Sequence, residues 1–331
     1  VLSKAVVQES DDVASIARPE PISVTPEAPV AEAAAQALQL GLAILKFHES
    51  GALAGEVEGI HQFRVAIRRL RAAVELFAPI LHGSRLRFYR AELPLVGRCA
   101  GTVRDADVLR ELIRVNAKAL DPALTRALIP AYQALADTRV AAMRDLTRLL
   151  GSRRYARMIA RLAPTLTRKL PSEVTLLKRA PQLMRSLSRA SLRSGARLAA
   201  ESPPLMFHRV RVRLKRLRYA LEMLDQLAGK RTSKTLTRLR RMQEELGEHQ
   251  DLVNTAIWLR QFARGQLQPE TLLATGALLQ FVGERRAKVA DRAARRWKKF
   301  VRGGILIKAA IEIGELARAR STPRLFGEDP P

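Results

Sequence analysis

His61 opens the run HQFRVAIRRLRAAVELF (61–77), and His208 opens a second run of the same design, HRVRVRLKRLRYALEML (208–224). Laid side by side, the two agree at His61/His208, Arg64/Arg211, Val65/Val212, Arg69/Arg216, Leu70/Leu217, Arg71/Arg218, Ala73/Ala220 and Glu75/Glu222. Charge is kept at Arg68/Lys215 and an aliphatic side chain at Ile67/Leu214. At 100° per residue, His61, Arg64, Arg68, Arg71 and Glu75 fall in one stripe about 80° wide. Phe63, Leu70, Val74 and Phe77 collect on a separate apolar face, the signature of a helix packed on a core. His208, Arg211, Lys215, Arg218 and Glu222 repeat the stripe. Arg69 and Arg216 sit off it and are weaker candidates.

The correspondence continues downstream. GTVRDADVL starts at Gly101 and GEHQDLVNT at Gly247, with one residue of length difference measured from the histidines. Asp105 therefore matches Asp251, and Arg139 matches Arg286. The repeated unit is larger than one helix, so the sequence reads as an internal duplication. Ala, Leu, Arg and Glu dominate and strict alternation is rare, which favours helix over strand. The expected fold is all-α, with two pseudo-symmetric four-helix bundles.

Punctuation suggests boundaries. Residues 1–30 are acidic and carry Pro19, Pro21, Pro26 and Pro29, and they read as a disordered leader. The first half is placed at 31–170, a proline-containing linker at 171–181 and the second half at 182–303. A C-terminal helix and loose tail are placed at 304–331. Asp121-Pro122 and Gln268-Pro269 look like helix starts, and Pro203-Pro204 marks the turn before the second run. Gly83 and Gly229 stand where the repeated helices should end.

Lys plus Arg number 58 against 32 Asp plus Glu, a formal charge of +26. Such an excess opposes compaction and invites a polyanionic partner: nucleic acid, an anionic membrane or inorganic polyphosphate. The single cysteine, Cys99, excludes an intramolecular disulfide framework and a CxxC metal knuckle. No long apolar run is free of charge, so no membrane span is expected. The N-terminus lacks the basic-then-apolar order of a signal peptide.

A solvated helix face usually mixes signs and gains i,i+4 pairs. Both stripes instead stack like charges, which is unfavourable unless an anion compensates them. His61 and His208, placed on the stripes, suit donation to that anion, and neighbouring cations should lower their pKa while the site is empty. Asp105 and Asp251 follow a glycine and read either as first-turn carboxylates of a new helix or as groups that orient the stripe arginines.

HxxRVxxRRLRxxxELF with GxxRDxDVL downstream, repeated as HxxRVxxKRLRYxxE with LGxxxDL, resembles the CHAD (conserved histidine α-helical) domain family over roughly residues 31–303. The resemblance implies two pseudo-symmetric bundles around a basic central channel. It also implies binding of long-chain inorganic polyphosphate and a place in the cytoplasm on bacterial polyphosphate granules, with granule proteins or polyphosphate enzymes as further partners. By position it points to His61, Arg64, Arg68, Arg71, His208, Arg211, Lys215 and Arg218 as binding residues, with Arg98 and Arg104 from the following helix. Arg69, Arg216, Arg139 and Arg286 are secondary candidates. Gln250 replaces the arginine of the first RDxD, so the second copy departs from the first. The fused CYTH-type triphosphate tunnel found beside many such domains is not expected, because Glu56-Val57-Glu58 is followed by Ile60 where ExExK needs Lys.

Two other readings compete. Non-specific nucleic-acid binding is permitted by charge, but the stripes carry no aromatic side chain on which bases could stack. A polyphosphate or nucleotide phosphohydrolase is less favoured, for there is no GxxxxGK[ST] loop and no carboxylate cluster on the stripes to hold Mg²⁺. No catalytic residue, metal site or cofactor is expected. A membrane-surface role for the basic segment 292–308 is weaker again.

Overall fold

The computed structural model describes residues 28–78, 84–165, 175–228, 233–307, 311, 313 and 314. Eleven helices are described: α1 (Val30–Phe47), α2 (Glu49–Leu53), α3 (Val57–Leu76), α4 (Ser84–Ala117), α5 (Pro122–Ala127), α6 (Ile129–Leu150), α7 (Arg153–Thr165), α8 (Leu176–Ser194), α9 (Pro204–Ala228), α10 (Ser233–Arg264) and α11 (Pro269–Arg302). No strand occurs among the described residues; a lone bridge pairs Pro29 with Thr175.

Local chemistry explains most helix starts. Asp121 caps α5 by accepting from the Leu124 N–H at 2.9 Å, with Pro122 at the first helical position. Pro269 opens α11, as the sequence suggests, and Pro204, read from the sequence as part of a turn, is the first residue of α9. Gly83 and Gly229 lie outside the described residues. Gly55, at φ 72°, makes the turn into α3, a backbone conformation that glycine adopts without strain.

The boundaries differ in two places. Residues 171–174 of the expected linker lie outside the described residues, whereas Leu176 to Pro181 belong to α8, which Thr175 caps at the Lys178 N–H. Pro181 is accommodated inside that helix. Of the expected leader, residues 1–27 lie outside the described residues, while Ala28 and Val30 are buried. At the other end, Ile305, Leu306 and Ile313 are buried, and Ser188 donates to the Leu306 carbonyl. The chain after α11 thus docks on α8 before leaving the described residues.

In the first half, α1 packs on α3, α3 on α4 and α4 on α6. In the second, α8 packs on α9, α9 on α10 and α10 on α11. Across the halves, α3 meets α9, α4 meets α10 and α5 meets α11. Two cores form among the described residues, and each draws on both halves. The larger takes Phe63, Ile67 and Leu70 from α3 together with Phe207, Val210 and Leu214 from α9. The smaller joins Ile113 and Leu135 to Leu252, Leu259 and Leu278. The cause is the cross-packing: apolar faces of both halves exclude water from common volumes.

Helix α1 is, among the described residues, the one helix long and apolar enough to cross a membrane, with a mean hydropathy of 1.3. Val30, Ala33, Ala34, Leu38 and Leu45 on it are buried in the larger core. The basic segment at the end of α11 is likewise committed. Ala293, Ala294, Trp297 and Phe300 are buried, and Arg292 and Arg296 pair with Glu248 and Glu245. No apolar face remains on those four positions for a membrane surface.

Gly195 closes α8 against Trp297, whose indole N–H donates to the Gly195 carbonyl at 2.6 Å. A Cβ at Gly195 would be driven into the indole ring. Gly195→Ala is expected to destabilise the protein by about 1–3 kcal/mol through overpacking. Gly276 on α11 has open space where a methyl group would stand, so Gly276→Ala should stabilise by about 0.5–1 kcal/mol. Urea denaturation of both variants checks the opposite signs.

Candidate functional site

Helix α3 turns its buried face, Ile60, Phe63, Ile67, Leu70 and Val74, into the larger core. That fixes the rotation of the helix and leaves His61, Arg64 and Arg68 half-buried on the side toward α9. Helix α9 buries Val210, Leu214, Leu217 and Leu221 and holds Arg211, Lys215 and Arg218 half-buried. The stripes therefore approach each other. Lys215 lies within the field of Arg211 and Arg218 on its own helix and of Arg64 and Arg68 on α3. Its pKa is pushed down to about 7, first by burial and then by those four guanidinium groups. Arg211 also has a lowered pKa, chiefly through burial; Asp251 offsets this, and Arg68 and Arg64 reinforce it.

Two carboxylates enter from the helices beneath. Arg64 Nη1 donates to Asp105 Oδ1 at 2.7 Å and to the Gly101 carbonyl at 3.0 Å. Gly101 permits this approach: a Cβ there would stand 3.4 Å from Arg64 Nη1. Asp105 is exposed, and such pairs contribute at most about 1 kcal/mol, so its main effect is to aim Arg64. Asp251 is more enclosed. Its pKa is raised by burial, against the pull of Arg211 and Lys215, and Asp105 adds to the rise.

The reading of Gly101 and Gly247 as helix starts is corrected. Both α4 and α10 run unbroken through these glycines, so Asp105 and Asp251 are mid-helix groups. The carboxylates are placed to interact with stripe cations, the other of the two readings. Gly247 has open space around it, so the second copy lacks the close contact that Gly101 makes.

The histidines are handled differently in the two copies. His61 has a lowered pKa, first through burial and then through Arg104; burial is thus a larger cause than the neighbouring cations that the sequence suggests. His208 Nδ1 lies 2.8 Å from Gln250 Oε1, and Gln250 Nε2 donates to Asn254 Oδ1 at 2.9 Å. Gln250 is thus the second copy's counterpart of Arg104 in space as well as in sequence.

At the far end of the stripes, Glu75 receives a two-pronged bond from Arg90, at 2.8 Å on each oxygen. Glu222 stands 3.7 Å from Arg218 and 3.5 Å from Arg240. Arg71 feels both Arg98 and Arg216. Arg216, off the stripe on a helical wheel, therefore faces α3, which a one-helix projection cannot reveal. Arg69 is exposed. Arg139 is committed elsewhere: it binds Asp107 at 2.6 Å and the Gly55 carbonyl at 2.6 Å, tying α6 to α4 and to the turn before α3. Arg286 acts on His249 instead of the stripes.

His249 escapes a reading of the sequence. It is buried, stacked on Phe207 at 4.2 Å, and its pKa is pushed down to about 4 by burial and then by Arg286. Its place beside Gln250 is the available signal, but a neutral histidine on an apolar ring has no pattern of its own.

Three guanidinium Nε atoms, those of Arg68, Arg211 and Arg218, are buried with no hydrogen-bond partner. Arginine offers a planar fork matched to phosphate and carboxylate oxygens. These three atoms lie among the clustered cations of α3 and α9. Among the described residues no group of three or more His, Cys, Asp or Glu could hold a metal ion.

The all-helical fold is shared with known proteins. The chain resembles the crystal structure of the CHAD domain from the plant Ricinus communis, with a TM-score of 0.69 and 27% identity over 84% of this chain and 95% of that one. It also shares its fold with PptA from Streptomyces chartreusis, at a TM-score of 0.68 and 20% identity over 82% of this chain and all of that one (100%). No curated protein matches it significantly in sequence. The sequence profile described as the CHAD domain matches residues 36–260, well over half of the chain, so the chain belongs to the CHAD domain family.

Proposed function

We propose that this protein binds inorganic polyphosphate between α3 and α9, in a basic channel formed by two duplicated halves. The observation that carries the reading is the approach of the two stripes, with Lys215 surrounded by Arg64, Arg68, Arg211 and Arg218. Polyphosphate has about one charge per phosphate and offers neither base nor sugar. A site of convergent arginines without aromatic stacking partners suits it better than it suits single-stranded nucleic acid. His61, Arg71, Arg98, Arg104 and His208 extend the donor set along the same line. We read the protein as a receptor and not as an enzyme, since Asp105 is engaged by Arg64 and Asp251 is enclosed among cations. The family resemblance supports the same ligand. By the same reading, the protein acts in the cytoplasm on polyphosphate granules, beside granule proteins or polyphosphate enzymes.

The deciding experiment is calorimetric titration of long-chain polyphosphate at about 150 mM salt, with duplex DNA as competitor. A variant carrying Arg64→Ala, Arg68→Ala, Arg211→Ala and Lys215→Ala should lose at least about 100-fold in affinity, at roughly 1.4 kcal/mol per tenfold step. Equal affinity for the two polymers, or an unaffected variant, would move nucleic acid to the front.

The stripe should also weaken the empty fold. The pKa of Lys215 is lower folded than unfolded, so the unfolded chain binds more protons between about pH 7 and 10.5, and this contribution to stability falls as pH drops through that window. Lys215→Met should therefore raise the stability of the ligand-free protein at pH 7 by about 2 kcal/mol while lowering polyphosphate affinity. Chemical denaturation and titration of the same variant test both signs.

Binding should be proton-linked in the opposite sense. A bound polyanion raises the pKa of Lys215, so affinity should increase as pH falls toward 7 and level off below it. Titration at pH 8 in buffers of different ionisation enthalpy should register proton uptake, reduced in Lys215→Arg.

A further inference from the structure

A second basic surface lies on the outside of the second half. In α8, Lys178, Arg185, Arg189 and Arg193 are exposed, and Arg197 follows in the turn beyond the helix. At 100° per residue, the four helical cations fall within about 80°, and they extend over about 22 Å of helix. The opposite face is already used: Ala180, Met184, Ser188 and Ser191 are buried, and α8 packs on α9.

This face has no compensating acid of its own. No Asp or Glu occurs from Leu176 to Ala200. Several other surface arginines do have acid partners: Arg114 with Glu111, Arg148 with Asp145, Arg154 with Glu92 and Arg295 with Asp291. Among the described residues, none of Lys178, Arg185, Arg189, Arg193 and Arg197 forms an ion pair with an acidic side chain, and the exposed Gln182 and Ser186 are neutral. Like charges at i,i+4 oppose one another on an isolated helix, so this stacking has no local benefit. With its apolar side packed inward, α8 has nothing to insert into a lipid surface. It carries no aromatic residue for base stacking. What remains is a straight row of charge-assisted donors suited to a flexible anionic chain.

We infer that the outer face of α8 is a second track for the polyphosphate chain held between α3 and α9, so that long chains engage two basic surfaces of one molecule. The inference rests on the polyphosphate reading above. Because α8 packs directly on α9, the two surfaces are separated by about two helix thicknesses, roughly 15–20 Å, a span of a few phosphate units of an extended chain. A chain leaving the first surface reaches the second as an intramolecular step, and linked contacts of this kind raise affinity by large factors.

The test compares short-chain and long-chain inorganic polyphosphate on the full chain and on a variant with Lys178→Gln, Arg185→Gln, Arg189→Gln and Arg193→Gln. Glutamine keeps helix propensity close to that of the residues replaced. A second variant of equal charge change, Arg110→Gln, Arg126→Gln, Arg264→Gln and Lys298→Gln, controls for net charge. The expected result is a loss of about 10-fold or more in long-chain affinity for the α8 variant alone, with a shallower salt dependence. Short-chain affinity should stay within about twofold, since those contacts are confined to α3 and α9. Unchanged long-chain binding, an equal loss for both lengths, or an equal loss in the control would overturn the track. So would a loss confined to duplex DNA, which would make the face a nucleic-acid dock. If the unaltered protein binds neither polyphosphate length, the ligand assignment of the α3–α9 site fails instead, and the track falls with it.

Discussion

The constraint on which the structure depends is the juxtaposition of like charges on α3 and α9. Two helices that each carry stacked cations would separate if nothing else held them. Their apolar faces supply the opposing force, with Phe63, Ile67 and Leu70 sharing one core with Phe207, Val210 and Leu214. Burial of such side chains contributes about 1.5–3 kcal/mol each, enough in sum to hold cations in one another's field. The charges remain half-buried, where their repulsion is less screened than at an open surface. The consequence is a site whose electrostatics improve when an anion enters.

The polar groups of this site fall where the two cores part. On α4, Val103 belongs to the larger core and Ile113 to the smaller, and Asp105 lies between them. On α10, Leu246 belongs to the larger and Leu252 to the smaller, with His249, Gln250 and Asp251 between. Long continuous helices therefore leave one apolar volume and enter another across a polar seam. Gly101 lies at that seam, against the Arg64 guanidinium. This division accounts for the carboxylates in mid-helix: they neutralise part of the basic charge where no core covers it.

Much of this was legible in the residues. The 3.6-residue periodicity separated stripe from core on α3, and the matched spacing led to α9. Asp121-Pro122 and Pro269 announced helix starts because capping is local chemistry. Gly101 and Gly247 misled for the same reason. A glycine before an acidic residue resembles a helix boundary until the crossing helix that uses the missing side chain is known. Arg216 and Arg139 show the other limit. A helical wheel places Arg216 off its stripe and matches Arg139 to Arg286, yet Arg216 faces α3 while Arg139 binds Asp107 and Gly55. Partner choice is a property of packing between helices.

The stripes on α3 and α9 differ in a way that gives the site a direction. In the first, Arg64 is fixed by Asp105 and the Gly101 carbonyl, and Arg104 stands near His61. In the second, no carbonyl contact to Arg211 occurs among the described residues, a lysine stands where the first run has Arg68, and neutral Gln250 binds His208. The first copy thus presents permanent, aimed donors. The second presents a cation whose charge depends on its surroundings. An anion laid along α3 would meet donors already positioned for it, and its own charge would then favour protonation of Lys215 across the gap. On the polyphosphate reading, one side would orient the ligand and the other respond to it, an asymmetry that two identical stripes could not provide.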